Sequence, residues 1–415
     1  MTTHLSRNAR IPLLGLLAAV VATAMPAAVQ GQQDLSMFGY LASRYEKVFD
    51  EPDFAGGSIV KATAPGEFSY PSFNLMFQQD VGRRFKVYVN LSGADANTID
   101  VSNMWGEVTL DRLFAVRFGK TYRKFGLYNE ILDAVPTYYG IEPPEMFDKD
   151  HLLLSRTTTL MVHGNADVGP GTLSYALSND NGEGDVFADA TPVGFDVNYM
   201  FGYGKYKLGV SGYRSGGPAN SDVSVGDGSP ATGVLPWMAT DDFSAIDGYA
   251  QTELGALTLQ FEYARAHHVA SRDADAVVSV VSGTDLNDAQ MARFLKDPSG
   301  SHTADNVETV ADFIVQTWYV RAGYSIETAR GEIAPYVQWD WYSNPETIAT
   351  KRLGGDNEAG VADDGHFDKA TVGVVYRPVP MVAVKLDGSQ HRYRFHASDV
   401  SYPEIRLDIS YTFGF

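Results

Sequence analysis

The chain has 415 residues, a formal net charge of −19 and no cysteine. An acid excess of this size excludes a nucleic-acid surface as the main function, and the missing cysteines exclude disulfide staples, thiolate metal sites and cysteine nucleophiles. Tyr (23) and Phe (22) are abundant although only 44% of the residues are hydrophobic, a balance that suits strands in which alternate residues meet an apolar surrounding.

Arg7 and Arg10 precede an apolar run from Ile11 to Met25, and the small residues Pro26, Ala27 and Ala28 follow. A charged start, a short apolar run and a small-residue zone predict a secretory signal peptide over residues 1–31, cut near Ala28 or Gly31. The run is too short to anchor a chain, since spanning takes about 20 apolar residues. No later stretch is long and apolar enough for a transmembrane helix. If the mature chain, 32–415, lies in a membrane, it must do so as a β-barrel.

Sixteen segments then alternate between apolar and polar residues: 35–48, 71–80, 84–93, 102–111, 113–120, 152–164, 171–179, 193–202, 205–214, 243–253, 256–267, 312–326, 331–342, 367–377, 380–391 and 402–415. Phe85, Val87, Val89 and Leu91, for example, oppose Lys86, Tyr88, Asn90 and Ser92, and a period of two means a strand. Links after even-numbered segments are short, as at Leu254-Gly255 and Pro378-Val379. Links after odd-numbered ones are mostly long, 49–70, 121–151, 180–192, 215–242, 268–311 and 343–366, with two shorter, 94–101 and 392–401. Short turns alternating with long loops, and an even strand count, are the layout of a bacterial outer-membrane barrel; fourteen or eighteen strands stay open. Tyr199, Tyr203, Tyr206, Trp339, Trp341, Tyr376 and Tyr411 cluster near strand ends as interfacial girdles do. Pro335 falls inside a strand with no free edge, which predicts a bulge near the periplasmic end or a later strand start.

Two loops carry further signals. The 268–311 loop predicts a helix from Leu286 to Lys296, opened by Asp285 and closed before Pro298; it is either a cap over the mouth or a surface helix with no role in transport. The 121–151 loop holds Ile131, Leu132, Val135, Tyr138, Tyr139, Ile141, Met146 and Phe147. A loop so apolar must pack against something. It also carries Glu130, Asp133, Glu142, Glu145, Asp148 and Asp150. By alternation, the inner face of the barrel holds Lys86, Arg117, Lys205, Lys207, Arg321, Lys385 and Arg406. It also holds Glu107, Asp196, Glu262, Glu332, Asp340, Asp387, Glu404 and Asp408.

Enzyme chemistry finds little support. His163, His267, His268, His391 and His396 are scattered, whereas a barrel hydrolase needs a Ser–His pair placed together. His267-His268 reads as a solvated pair at a strand end. The acidic runs 180–185 and 356–364 offer oxygen ligands for calcium, but neither matches an EF-hand, and solvated loops explain them better. No cofactor or metal is expected.

In the last segment Ile405, Leu407, Ile409, Tyr411, Phe413 and Phe415 lie on one face, and Glu404, Arg406, Asp408, Ser410 and Thr412 on the other. Here the chain resembles the Gram-negative outer-membrane porins of the sixteen-stranded general type, whose chains end in a strand with a terminal Phe. The resemblance covers the mature chain in layout rather than in residue identity. It implies that Tyr411, Phe413 and Phe415 form the signal read by the barrel-assembly machinery. It also implies that the third loop folds into the barrel and narrows it; Pro144-Glu145-Met146-Phe147 is loosely similar to a Pro-Glu-Phe run of classical porins. With the loop inside, Lys86, Arg117, Arg123, Glu130, Asp133, Glu145 and Asp148 are the expected constriction. Acid opposed to base would set up a transverse field that orients dipolar solutes; alternatively, these charges pair and only keep the lumen wet. Acids outnumber bases in both sets, which predicts a modest cation preference.

The implied function is a water-filled channel for passive diffusion of small hydrophilic solutes and ions. The implied partners are outer-membrane lipid, lipopolysaccharide, the assembly machinery and two further copies in a homotrimer; nucleic acid is not among them. The alternative is a substrate-selective uptake channel for a sugar, peptide or carboxylate, which an organised aromatic or basic track along the lumen would distinguish. A surface adhesin or receptor barrel, or a barrel enzyme, comes after these. Plugged active transport is disfavoured, since no globular segment precedes the first strand.

Overall fold

A computed structural model describes residues 35–69, 71–93, 98–129, 138–147, 156–181, 192–218, 237–283, 286–347 and 358–414. The signal-peptide expectation, Glu130, Asp133, Asp148 and Phe415 lie outside these residues. Sixteen antiparallel strands form one sheet. They are β1 Leu35–Val48, β2 Ser72–Val81, β3 Phe85–Gly93, β4 Asp100–Thr109, β5 Ala115–Tyr122, β6 Arg156–Val168, β7 Gly171–Asp180 and β8 Val193–Phe201. They continue as β9 Tyr206–Pro218, β10 Met238–Leu254, β11 Leu257–Arg272, β12 Phe313–Tyr324 with its continuation Ile326–Thr328, β13 Gly331–Ser343, β14 His366–Val379, β15 Val382–Phe395 and β16 Ser398–Gly414. Each strand pairs with the next, and β1 pairs with both β2 and β16, which closes the barrel. Closure leaves no open sheet edge, the condition for crossing a membrane with strands.

The period-two pattern sorts the two faces. On β16, Tyr402, Glu404, Arg406, Asp408 and Ser410 are buried in the interior, whereas Ile405, Ile409 and Tyr411 face outward, exposed by 45%, 52% and 46%. Charge therefore lines the inside and apolar surface the outside, the reverse of a soluble sandwich. Aromatic side chains gather at the short-turn end. Tyr199, Phe201 and Tyr206 stack in a row around the β8–β9 turn, and the Tyr376 hydroxyl donates to the Arg330 carbonyl.

Three expectations need correction. Pro335 makes neither a bulge nor a late start. It keeps register with Val374 of β14, and the ladder to β12 simply lapses between Gly323 and Ile326. On its other side β12 is intact, with the Ser325 amide bonding Ala256 next to β11, so the missing proline donor interrupts one ladder only. The eighth loop, expected over 392–401, shrinks to His396-Ala397. Both residues have positive φ, 47° and 59°, as a two-residue hairpin turn of the primed type requires, and Asp363 accepts both of their amides at 3.0 and 2.7 Å. His268 is not solvated: it is buried, stacked between Phe243 and Phe313, with Nδ1 3.0 Å from Asp241. Alternation places it on the inner face and His267 on the outer.

The external loops build the apolar core. The first loop contains a hairpin, Glu51–Ala55 with Ser58–Ala62. The sixth holds α1 Ala274–Gly283 and α2 Asp288–Phe294. α2 is the helix foreseen at 286–296, but Asn287 caps it, in a capping box with Gln290; Asp285 lies outside the described residues. α1 escaped notice because its valines are weak helix formers. The seventh loop contributes the single turn α3 Glu358–Val361. Trp237, Val277, Val281, Phe294, Val307 and Ala359 pack together with the strand-end residue Phe367. The Arg272 guanidinium holds Glu346 at 2.6 and 2.7 Å under this layer.

Candidate functional site: the third loop and the inner wall

The third loop lies against the inner wall in its described parts, 123–129 and 138–147. At its root Arg123 is buried, paired with Asp180 of β7 at 2.7 Å and lying 4.0 Å over the Tyr213 ring. The Gly126 amide then donates to Ser211 of β9 and the Leu127 amide to Glu262 of β11, both at 3.0 Å. Tyr128 meets Tyr319 of β12 edge-on and donates to Gln260. These contacts satisfy loop amides that would otherwise be buried without a partner.

The described stretch 138–147 reaches β12–β16 and β1. The Gly140 carbonyl accepts from Lys385 Nζ at 2.9 Å, and the Ile141 amide donates to Asp387 at 3.2 Å. Glu142 is the centre of this contact. It pairs with Arg44 of β1 at 2.9 Å, with Lys369 of β14 at 3.1 Å and with Arg406 of β16. Burial raises its carboxyl, but the three cations outweigh burial and hold it well below the ordinary carboxylate range. Glu145 pairs with the same Lys369 at 2.5 Å, and its amide donates to Asp340 at 3.2 Å.

Small inner-face residues make room for the loop. Tyr139 lies over Gly323, where a Cβ would sit 2.6 Å from the Tyr139 Cζ. Gly323→Val is therefore expected to lift Tyr139 off the wall. Pushed inward, the loop should narrow the lumen, so single-channel conductance should fall while heat-modifiable mobility of the barrel is retained.

The expected constriction residues divide into two groups. Arg123 and Glu145 are buried anchors of the loop. Lys86 and Arg117 lie on the wall near the short turns, in register with Glu107. Arg117 pairs with Glu107 at 2.9 Å and lies 4.1 Å over Trp105, and His163 joins the same carboxylate at 3.1 Å. Glu130, Asp133 and Asp148 have no described position. Tyr411 and Phe413 follow one another on the outer face, their rings 6.5 Å apart. Sequence reasoning missed Arg44 and Lys369. Their alternation was readable, with Arg44 in phase with Tyr40 and Ala42, and Lys369 in phase with Phe367 and Thr371. That the loop would cross to them was not.

No protein-family model matches the chain, and no curated protein matches it. Solved structures do. The anion-selective porin from Comamonas acidovorans is 12% identical with a TM-score of 0.56, over 92% of this chain and 100% of that one. The outer-membrane channel DcaP of Acinetobacter baumannii is 11% identical with a TM-score of 0.52, over 93% and 99%. The trimer form of the Vibrio cholerae outer-membrane protein OmpT is 12% identical with a TM-score of 0.52, over 92% and 100%. The chain thus has the sixteen-stranded fold of the Gram-negative general porins. Identities this low carry the fold alone.

Proposed function

We propose that the protein is an outer-membrane porin, a water-filled channel for passive diffusion of small hydrophilic solutes and ions. The closed sixteen-stranded barrel, with a charged inner face and a loop lying along it, is the observation that carries this reading. The third loop narrows the pore, and residues 1–31 direct export and are removed. A homotrimer fits the trimeric neighbour. Purified protein should form steady ion-conducting steps in a planar lipid bilayer; a barrel that inserts without conducting would refute the channel.

The pore prefers cations modestly, in contrast to the Comamonas neighbour named for anions. Around the loop, Glu46, Glu142, Glu145, Asp340, Asp387, Glu404 and Asp408 face Arg44, Arg321, Lys369, Lys385 and Arg406. Such charges act at close range, since fields are screened within about 8 Å at physiological salt. Reversal potentials in a KCl gradient should show the preference, and neutralising Glu130 and Glu145 together should move it toward anions.

One observation favours the substrate-selective reading. On the inner wall Tyr88 and Trp105 stack at 5.0 Å, with Arg117 over Trp105 and Phe38 6.5 Å beyond Tyr88. This is a short aromatic and basic track. Block of the ion current by one solute class, lost in Trp105→Ala, would mark it as a solute site.

A further inference from the structure

The third loop and α3 of the seventh loop are joined by a buried chain of charges. It begins at Glu358 of α3, in the seventh loop, whose Oε1 lies 2.6 Å from His391 Nδ1. On the other side of the ring, His391 Nε2 lies 3.0 Å from Glu404 of β16. Glu404 is 2.7 Å from the Arg406 guanidinium, and Arg406 holds Glu142 of the third loop. Lys369 then carries the chain from Glu142 to Glu145. His391, Glu358 and Glu404 are each at most 2% exposed, so water screens these links little.

His391 is the one member of this chain whose charge changes most readily near neutral pH. The groups that face it are Glu358 from α3, Tyr402 and Glu404 from β16, and Lys369 from β14, its register partner. The Tyr402 ring stacks on the imidazole at 4.4 Å, and its hydroxyl bonds Glu358. Only an imidazolium can donate from both nitrogens to the two carboxylates. A neutral ring donates from one nitrogen and turns a lone pair toward the other carboxylate.

We propose that His391 is a positioning residue whose charge sets the hold on the third loop, and with it the ion preference of the pore, through Glu404, Arg406 and Glu142. When His391 loses its proton, neither carboxylate faces a cation at the ring, so Glu404 leans more on Arg406 and competes with Glu142 for that guanidinium. The tie between Glu358 of α3 and the wall weakens at the same step and then rests chiefly on the Tyr402 hydroxyl. The interior loses one positive charge, and the loop loses part of its anchor. Proton binding at His391, beneath the seventh loop, is thereby felt at the third loop. The proposal rests on the channel reading.

Reversal potentials in a fixed KCl gradient, from about pH 6 to about pH 9, test it. In the wild-type channel cation preference should rise in a single step as pH rises. His391→Gln should abolish the step. His163→Gln, which changes the imidazole on the facing wall, should keep it. Glu358→Gln removes one acid beside the ring, so it should move the midpoint to lower pH by about one unit. This variant leaves the strands untouched and decides the matter if His391→Gln fails to assemble. A flat wild-type profile, a step that survives in His391→Gln, or an unmoved midpoint in Glu358→Gln would overturn the coupling while leaving the channel intact. A barrel that conducts at no pH would instead strike the channel reading itself.

Discussion

Glu142→Ala is expected to open the pore. The substitution takes one carboxylate from among Arg44, Lys369 and Arg406 and leaves three inward cations with less to hold. Removing one partner of a buried ion pair costs about 3–5 kcal/mol, because the remaining charges stay desolvated. The barrel ladder does not depend on that carboxylate, so the cost falls on the loop. Untied from the wall, the loop tip should swing out of the lumen, and single-channel conductance should rise by roughly twofold, since pore width and lining charge set conduction. Ion preference should move toward anions in the same variant. Unchanged conductance from a correctly assembled barrel would show that the loop does not limit flow. The wild-type anchor should also resist acid. The Glu142 carboxyl is depressed in the folded protein, so its stabilisation is complete above the ordinary carboxylate value of about 4.3 and is lost only as pH falls through the lower value. Conductance should therefore stay level as pH falls from about 6 to about 4.

What the sequence made legible follows from the period of the strand. One face meets an apolar surrounding and the other meets water and charge, so the strands and their inward residues could be read from neighbours two positions apart. Lys385, Arg406, Asp387 and Asp408 were placed on the inner face in this way. The end of each strand was harder. β15 and β16 continue past the apolar band to the His396-Ala397 turn, where alternation persists but its contrast fades. The partners of the third loop were not legible. Glu142 meets residues 98, 227 and 264 positions away, and no local pattern encodes which stretch of wall a loop will cross. For the same reason, proximity in sequence favoured Lys86 and Arg117, which the fold groups with Glu107 instead. The His391 link was hidden because it needs Glu358, a loop residue, to descend on a strand.

The last strand should decide whether the barrel assembles at all. β16 closes the barrel by pairing with β1 from Phe38↔Gly414 to Val48↔Glu404. This is the contact of greatest sequence separation in the fold, so its loop-closure cost precedes any reward from pairing. Until it forms, both strands offer open edges that invite wrong partners. On the inner side the seam matches Arg44 to Asp408 and Glu46 to Arg406. On the outer side it carries Tyr411 and Phe413, which lead to the terminal Phe415. Phe415→Ser is expected to lower the amount of barrel in the outer membrane several-fold, the scale at which small losses in folding change abundance. Tyr411→Ser should do less, because Tyr411 is 46% exposed on the outer face and lies inside the paired seam. Barrels of either variant that do insert should conduct like the wild type, since the Tyr411 ring faces away from the lumen. Outer-membrane levels and heat-modifiable mobility equal to the wild type in Phe415→Ser would show that the terminal aromatic is not an assembly signal.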